Sequence, residues 1–338
     1  MANMVAWAAP SAGAKLARIE REVPQPGPTE LLIRVHACGV CHSDSLTVEG
    51  HMPGIQYPRV PGHEVIGTIE ALGTEVKGWR IGERVGVGWF GGSCGYCPRC
   101  RRGDAFACET ITAATGVTRD GGYATHMLAE TSAAAHVPGD LDAVESAPLL
   151  CAGITTFNAL RNSGASAGDL VVVHGVGGLG HLGIQYARRL GFHTVAVNRG
   201  RDKEELARSL GAHDYIDSEY GDVAAAIGKL GGAKAIIATV TSPDAMQAIV
   251  GGLGPRGTMM VIGAVGTFSV DTLGLLLKSA ALKGWYSGVA ADSEDTLAFS
   301  KLNDVRSMNE IYPFAEAQAA YDRMMSGKAR FRVVIRMD

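Results

Sequence analysis

Charged side chains are few in this sequence, and their signs nearly balance. Lys, Arg, Asp and Glu make up 19% of the 338 residues, and the formal net charge is −3. This balance gives no electrostatic reason to expect binding to nucleic acid or to an anionic membrane. Long hydrophobic runs are also missing. The longest apolar runs, such as residues 170–173, are far too short to span a bilayer. We therefore expect no nucleic-acid partner and no membrane segment.

The start of the chain lacks the pattern of a secretory signal. Residues 1–7 contain neither a basic region nor a long apolar core. The seven cysteines are an odd number, so complete disulfide pairing would leave one over. We expect a cytoplasmic protein in a reducing compartment, where clustered cysteines indicate metal ligands rather than disulfides.

The hydrophobic content of 46% and the length predict a globular protein with two cores. Up to about residue 150, short β-rich runs alternate with Gly and Pro turns. From about residue 153, apolar strands alternate with helical stretches, which is typical of a doubly wound parallel sheet in an α/β fold. The strands predicted for this sheet are residues 170–174, 194–197, 214–216, 235–240, 258–262 and 281–285.

The last fifty residues fit neither repeat of the sheet. Helical patterns over 293–301 and 315–325 precede a final strand at 332–336. We expect this tail to return to the first domain. The predicted domains are therefore residues 1–152 with 289–338, and residues 153–288.

Four cysteines lie within fifteen residues of one another, at Cys94, Cys97, Cys100 and Cys108. Two-residue gaps let successive thiolates point inward from a tight turn, and four thiolates complete a tetrahedral Zn²⁺ site with no open position. The spacing predicts a structural zinc site. An iron–sulfur cluster or unrelated thiols are the alternatives.

Three further potential ligands, Cys41, His63 and Cys151, lie outside that cluster. Catalytic zinc needs three protein ligands and one open position, and two thiolates with one imidazole would leave that position free. Spacing alone makes this a weak prediction, since isolated Cys and His residues are usually core or surface residues.

A glycine-rich turn follows the predicted strand 170–174 and opens a predicted helix, the context in which such a turn indicates dinucleotide binding. The candidate cofactor residues in it are Gly175, Gly177, Gly178, Leu179 and Gly180. About twenty residues later, Asn198 and Arg199 stand where an NAD-binding fold normally has an acid. Because the repulsive carboxylate is missing and Arg199 could pair with a 2′-phosphate, NADP(H) is the expected preference, with NAD(H) as the alternative.

At these residues the chain resembles the zinc-containing medium-chain alcohol dehydrogenases. Residues 39–44, the Gly62-His63-Glu64 run, the four-cysteine lobe, residues 150–155, the glycine-rich turn and residues 324–330 occur in the family's order. The resemblance covers essentially the whole chain. It implies a GroES-like β-rich catalytic domain with a Rossmann domain, two Zn²⁺ ions per chain, a small alcohol or aldehyde substrate, and a homo-oligomer, tetramer or dimer.

The resemblance also implies roles for single residues. Cys41, His63 and Cys151 would bind the catalytic zinc, and Glu64 would be the carboxylate able to approach the metal during ligand exchange. Asp44 would accept a hydrogen bond from the far nitrogen of His63. The hydroxyl of Ser43 would take the substrate proton, although a turn-capping serine is the alternative.

The remaining roles rest on single positions. Some relatives end the proton relay with a histidine three residues after the hydroxyl, but here that position is Leu46, so the proton would leave through cofactor ribose hydroxyls and water, or through His51. The relatives place a phosphate-binding residue at His42 and a nicotinamide contact at Thr155. Trp89 would narrow the substrate pocket, and simple surface or core roles are the alternatives for His42 and Trp89.

Two other functions are compatible with these residues. A polyol dehydrogenase or a cinnamyl-type aldehyde reductase would use the same scaffold, although the four-cysteine lobe favours alcohols and aldehydes. A non-catalytic zinc- and nucleotide-binding relative is the remaining alternative, and the complete Cys41, His63, Cys151 and Ser43 set argues against it.

Overall fold

The computed structural model of the chain describes residues 3–263 and 266–337. In chain order its strands are β1 (Asn3–Ala8), β2 (Ala17–Glu22), β3 (Glu30–Val40), β4 (Val65–Leu72), β5 (Arg84–Val87), β6 (His126–Glu130), β7 (Ala134–His136), β8 (Leu170–His174), β9 (His193–Asn198), β10 (Asp214–Asp217), β11 (Ala233–Ala238), β12 (Leu253–Val261), β13 (Ala281–Gly284), β14 (Asn309–Pro313) and β15 (Arg332–Arg336). Its α-helices are α1 (Ser45–Val48), α2 (Ala143–Ser146), α3 (Ala152–Arg161), α4 (Gly180–Arg189), α5 (Glu204–Ser209), α6 (Val223–Lys229), α7 (Pro243–Val250), α8 (Thr272–Lys278), α9 (Ala290–Asn303) and α10 (Ala317–Met325).

The chain divides into two compact units. The first comprises Met1–Cys151 and Gly288–Asp338, and the second comprises Ala152–Ser287. Within the described ranges, no helix combines the length and the apolar character needed to cross a membrane.

The first unit is built on a mixed seven-stranded sheet in the order β14-β15-β3-β4-β5-β7, with β6 also paired to β3. Its pairs are antiparallel except for the parallel pair of β14 and β15. Alternate residues of a strand share one face, and Leu31, Ile33 and Val35 of β3 accordingly contribute to a single hydrophobic core.

The C-terminal tail belongs to this first unit. Strand β15 pairs antiparallel with β3, and Val333 lies opposite Val40. Ala317, Ala320 and Tyr321 of α10 are buried in the same core as β3. The start of β15 therefore lies beside the end of β3.

The second unit contains six parallel strands in the order β10-β9-β8-β11-β12-β13. Every residue of β8 is buried, as is typical of a parallel strand covered on both faces. Asp222, Ser242 and Asp271 cap α6, α7 and α8 by accepting backbone N–H groups of the first turn. The predicted fold class, a β-rich domain with a doubly wound parallel sheet, is confirmed.

Several strand boundaries differ from the prediction, most of them by one or two residues. Strand β11 ends at Ala238 rather than at residue 240, and β13 ends at Gly284 rather than at residue 285. Strand β12 begins at Leu253, five residues earlier than predicted. The Gly-Pro-Arg-Gly run at residues 254–257 forms an irregularity within β12, where Arg256 adopts a φ of 54° and the register with β11 shifts.

Candidate active site

The ends of two antiparallel strands bring the first two candidate ligands together. Cys41 follows the last residue of β3, and His63 precedes β4 by two residues. Because Cys38 of β3 pairs with Val65 of β4, the end of one strand adjoins the start of the other. The backbone N–H of Gly39 donates to the carbonyl of Glu64 at 2.9 Å, which extends the pairing to the residue next to His63.

Cys151 completes a compact set of donor atoms in the first unit. It follows a short 3-10 helix, Ala147–Leu150. Donor atoms of Cys41, His63, Glu64 and Cys151 all lie within 4.8 Å of one another, and the two sulfurs are 3.8 Å apart. Two thiolates bound tetrahedrally to one Zn²⁺, at roughly 2.3 Å each, would lie about 3.8 Å apart, so the spacing fits zinc.

His63 provides an independent test of the fit. The residue is 1% exposed, and its Nε2 has no hydrogen-bond partner in the part of the chain that the structure describes. A buried polar atom without a partner costs free energy, so an unpaired nitrogen beside two thiols suits a metal ligand. On the other side of the ring, Nδ1 lies 2.9 Å from Oδ1 of Asp44, within ion-pair distance although not aligned as a hydrogen bond.

The electrostatics of the site favour a cation. Contact with Cys151 lowers the pKa of Cys41 well below its ordinary value, and His63 lowers it further. Burial opposes the charged form of the His63 ring, but the Asp44 carboxylate outweighs burial and raises the pKa of the ring well above its ordinary value. The thiolate of Cys41 and the carboxylate of Asp44 thus make the site negative, and a divalent ion would take the place of the proton on His63.

Glu64 forms a buried ion pair with Arg332, a residue that the sequence did not single out. Oε1 of Glu64 contacts Nη2 of Arg332, and their side chains are 0% and 6% exposed. Burial raises the pKa of Glu64 to about 8, although Arg332 opposes the shift. Pairing of β15 with β3 places Arg332 here. The sequence feature that could have identified Arg332 is a charged residue at the start of an otherwise apolar stretch of strand β15.

The turn after Cys41 carries the candidate proton-relay residues. His42–Asp44 form a 3-10 helix in which His42 is exposed and Ser43 is partly buried. Asp44, not Ser43, closes this turn, because its Oδ2 accepts the backbone N–H of Cys41 at 2.9 Å. Leu46 is partly buried in α1 and His51 is exposed beyond it.

Trp89 lies next to the candidate metal site. Its ring is edge-on to the His63 ring, with centroids 4.9 Å apart and planes at 88°. Trp89 is partly exposed, so it is not a fully buried core residue.

The four remaining candidate ligands form a separate cage. The sulfurs of Cys94, Cys97, Cys100 and Cys108 lie within 4.8 Å of one another. The sulfur of Cys108 accepts backbone N–H groups from Cys94 at 3.4 Å and from Ile111 at 3.2 Å. Burial opposes ionisation of Cys108, but backbone N–H groups outweigh it and lower its pKa to about 6. Four sulfurs at this spacing suit a closed, structural zinc site.

The glycine-rich turn lies between β8 and α4 in the second unit, as predicted. Gly175 has a φ of 99°, which favours glycine. Gly178 and Leu179 complete the turn before α4 begins. A cavity of about 450 Å³ adjoins it, and residues lining the cavity include Gly175, Gly177, Asn198, Arg199, Lys203 and Ser242.

Asn198 supports the turn rather than projecting freely into the cavity. Its Oδ1 accepts the backbone N–H of Val176 at 3.1 Å, and its Nδ2 donates to the carbonyl of Arg199 at 2.9 Å. Nζ of Lys203 donates to the carbonyl of Val176 at 2.7 Å. Lys203 was not among the predicted cofactor residues, although it is the third basic residue after Asn198 and that cluster was a usable signal. Thr155 is buried in α3 of the same unit.

A pair of alanine substitutions tests the packing of this turn. A Cβ on Gly180 would lie 1.7 Å from the carbonyl oxygen of Gly175, whereas one on Gly177 would have no atom within 4 Å. We expect Gly180→Ala to lower the free energy of unfolding by about 1–3 kcal/mol and Gly177→Ala to change it by less than about 0.5 kcal/mol. Both should weaken cofactor binding. Thermal unfolding without cofactor and a cofactor titration measure these effects, and an unchanged melting temperature for Gly180→Ala would contradict this packing.

The second unit has the fold of dinucleotide-binding proteins, and the first unit offers donors for a metal with an open position. Proteins that combine these two functions in one chain are metal-dependent oxidoreductases. This is the class that the fold and the site define.

Comparison with known proteins specifies the family. Residues 27–139 match the alcohol dehydrogenase GroES-like domain, and residues 178–301 match the zinc-binding dehydrogenase family. The alcohol dehydrogenase notN of Aspergillus sp. (strain MF297-2) is 44% identical over 313 residues, covering 93% of this chain and 92% of the relative. The chain therefore belongs to the zinc-containing medium-chain alcohol dehydrogenase family. It is a zinc-dependent oxidoreductase that uses a nicotinamide cofactor and acts on a small molecule.

Two solved structures are similar over nearly the full length. The cinnamyl alcohol dehydrogenase SbCAD4 from Sorghum bicolor has a TM-score of 0.86 at 28% identity, covering 99% of this chain and 98% of that chain. CAD from Helicobacter pylori, complexed with NADP(H), has a TM-score of 0.84 at 26% identity with the same coverage. The resemblance inferred from the sequence motifs is thus confirmed.

Proposed function

We propose that Cys41, His63 and Cys151 hold a catalytic zinc ion, and that the four-cysteine cage holds a second, structural ion. The observation that carries the proposal is the meeting of two sulfurs 3.8 Å apart with a buried, unpartnered His63 Nε2. Three ligands leave one coordination position open, as catalytic zinc requires. The count of two ions per chain follows from the two donor sets.

Zinc, when bound, supplies Lewis-acid chemistry that favours loss of an alcohol proton and polarises a carbonyl group. The nicotinamide cofactor supplies the hydride chemistry. The protein residues position these groups. Asp44 orients the His63 ring, the Ser43 hydroxyl takes the substrate proton, and Glu64 is the neighbouring carboxylate for ligand exchange. Because Leu46 cannot carry a proton, the proton would leave through cofactor ribose hydroxyls and water, or through the exposed His51.

The substrate and cofactor contacts complete the proposal. Trp89, edge-on to His63, would narrow the pocket and favour small primary or unbranched alcohols and their aldehydes. Thr155 would contact the nicotinamide ring and His42 a cofactor phosphate. A cinnamyl-type aldehyde is the second candidate substrate, and the similarity to SbCAD4 over nearly the whole chain favours it.

NADP(H) is the proposed preferred cofactor. Asn198 replaces the acid that would repel a 2′-phosphate, and its side chain is already bonded to the turn. Arg199, whose side chain is 85% exposed, and Lys203 both line the cavity at this end of β9, and both could bind a phosphate. The NADP(H) complex of the Helicobacter pylori relative also supports this preference.

A matrix of two cofactors and several substrates tests the proposed function. We expect kcat/KM to be higher with NADP(H) than with NAD(H), and higher with simple alcohols and aldehydes than with sorbitol. Arg199→Ala should reduce the NADP(H) value by about tenfold, since it removes a charge-assisted contact, and should leave the NAD(H) value nearly unchanged. A wild-type preference for NAD(H) of about tenfold would overturn the cofactor assignment. Faster turnover of sorbitol than of any simple alcohol would overturn the substrate class, and faster turnover of cinnamyl alcohol would establish the second candidate.

Assembly and location complete the proposal. A homo-oligomer, dimer or tetramer, is supported by the exposed side chains of Leu273, Leu276 and Leu277 on α8, which are 62%, 73% and 74% exposed. The position of β13 at the edge of its sheet, as far as the structure describes the chain, also supports it. Sedimentation of the purified protein measures the subunit number.

A cytoplasmic location is supported by seven cysteines that form no disulfide.

A further inference from the structure

The buried carboxylate of Asp44 has a third partner besides His63 and the turn that it closes. The hydroxyl of Tyr123 donates a hydrogen bond to Oδ2 of Asp44 at 2.9 Å. Tyr123 is 0% exposed and Asp44 is 2% exposed. A buried carboxylate needs donors in fixed positions, because water cannot replace a missing one.

The three partners divide the two carboxylate oxygens between them. Oδ2 accepts the backbone N–H of Cys41 and the hydroxyl of Tyr123, both at 2.9 Å, whereas Oδ1 lies 2.9 Å from Nδ1 of His63. The donors on Oδ2 therefore determine where Oδ1 lies, and Oδ1 in turn faces the ring of His63. Tyr123 thus bonds to the carboxylate oxygen that is not the one nearest His63.

Tyr123 is itself anchored to the loop that carries His63. Its backbone N–H donates to the carbonyl of Pro61, and the N–H of Gly122 donates to the carbonyl of Gly62, each at 3.0 Å. A Cβ on Gly62 would lie 2.5 Å from the Tyr123 ring, so the ring lies directly against the residue before His63. The same loop thus carries the ligand and fixes the side chain that holds the ligand's partner.

We propose that Tyr123 is a positioning residue for His63: its hydroxyl fixes the Asp44 carboxylate, and the carboxylate fixes the imidazole ring. Groups behind a metal ligand orient it, and their loss typically lowers metal affinity by 10- to 100-fold. The inference rests on the proposed zinc ion at Cys41, His63 and Cys151. It assigns a task to a residue outside the proposed ligand set.

Zinc release from the holoenzyme to an excess of a chromophoric chelator tests this inference. Two ions per chain should leave the wild-type protein, and the Cys151→Ala variant identifies which kinetic phase belongs to the catalytic position. In Tyr123→Phe, release in that phase should be faster by about 10- to 100-fold, while release from the four-cysteine cage stays unchanged. The variant removes only the hydroxyl and keeps the ring against Gly62.

Tyr321→Phe is the matched control. Tyr321 is also buried in the core of the first unit, and its hydroxyl bonds to Glu49 at 3.1 Å and not to Asp44. This variant should release both ions at the wild-type rates. Asp44→Asn provides a second test. Because Tyr123 is proposed to act through Asp44, the double variant of Asp44→Asn with Tyr123→Phe should release the catalytic ion at about the same rate as Asp44→Asn alone.

The outcomes separate the two proposals. If Tyr123→Phe releases both ions at wild-type rates, or accelerates both phases alike through a loosened fold, the positioning role is wrong. If the wild-type protein releases only one ion per chain, the proposed catalytic zinc fails instead.

Discussion

Replacing Cys151 by alanine is expected to remove one of two zinc ions per chain and to lower kcat/KM by about 1,000-fold or more. The substitution leaves Cys41 and His63 as a two-residue site, which is too few ligands for stable zinc. Loss of the Lewis acid removes several kcal/mol of transition-state stabilisation, and about 4 kcal/mol corresponds to a thousandfold change in rate. Metal analysis and steady-state kinetics on the same preparation measure both effects. The ion in the four-cysteine cage should remain.

Cys38→Ala is the control for this prediction. Cys38 is another buried thiol of the same unit, but it is in neither set of candidate ligands. We expect Cys38→Ala to keep two zinc ions and most of the activity, with a loss of stability of about 1–2 kcal/mol. Full zinc content and activity in Cys151→Ala would contradict the proposed ligand set.

The second large effect is expected at Arg332. Replacing this residue by methionine should lower the free energy of unfolding by about 3–5 kcal/mol, because Glu64 would be left buried without its counter-charge. Urea unfolding of the zinc-loaded protein measures the change. Arg336→Met is the matched control, since Arg336 is exposed on the same strand and its loss should cost less than about 0.5 kcal/mol.

A double variant distinguishes the ion pair from simple loss of packing. In Glu64→Gln with Arg332→Met, neither charge of the pair remains, so the double variant should lose less stability than the sum of the two single variants. Additive losses, or a cost below about 1 kcal/mol for Arg332→Met, would show that the pair does not stabilise this site.

Local patterns were sufficient for the parallel sheet and the glycine-rich turn. Strand β8 was predicted at its observed boundaries because a continuous apolar run is bounded by polar residues and followed by glycine. The start of β12 was predicted five residues too late, at Thr258 instead of Leu253. Residues 254–257 stay within the strand because of the pairing with β11, which is a tertiary property.

From the sequence, the candidate ligands could be predicted only because they stand in motifs that resemble those of a known family. Cys41 and His63 meet because β3 and β4 pair antiparallel, and that register is a tertiary property. Arg332 and Tyr123 were missed for the same reason, since each reaches the site from a distant part of the chain. Residue type and spacing indicate which side chains could bind a metal. Their hydrogen-bond and ion-pair partners depend on the tertiary structure.

The zinc content of the active wild-type protein tests the central claim most directly. Elemental analysis of purified protein with measured turnover should give two zinc ions per chain, one held by Cys41, His63 and Cys151 and the other by the four-cysteine cage. A fully active preparation with a single ion, retained in the Cys151→Ala variant and therefore bound in the cage, would contradict the proposed mechanism.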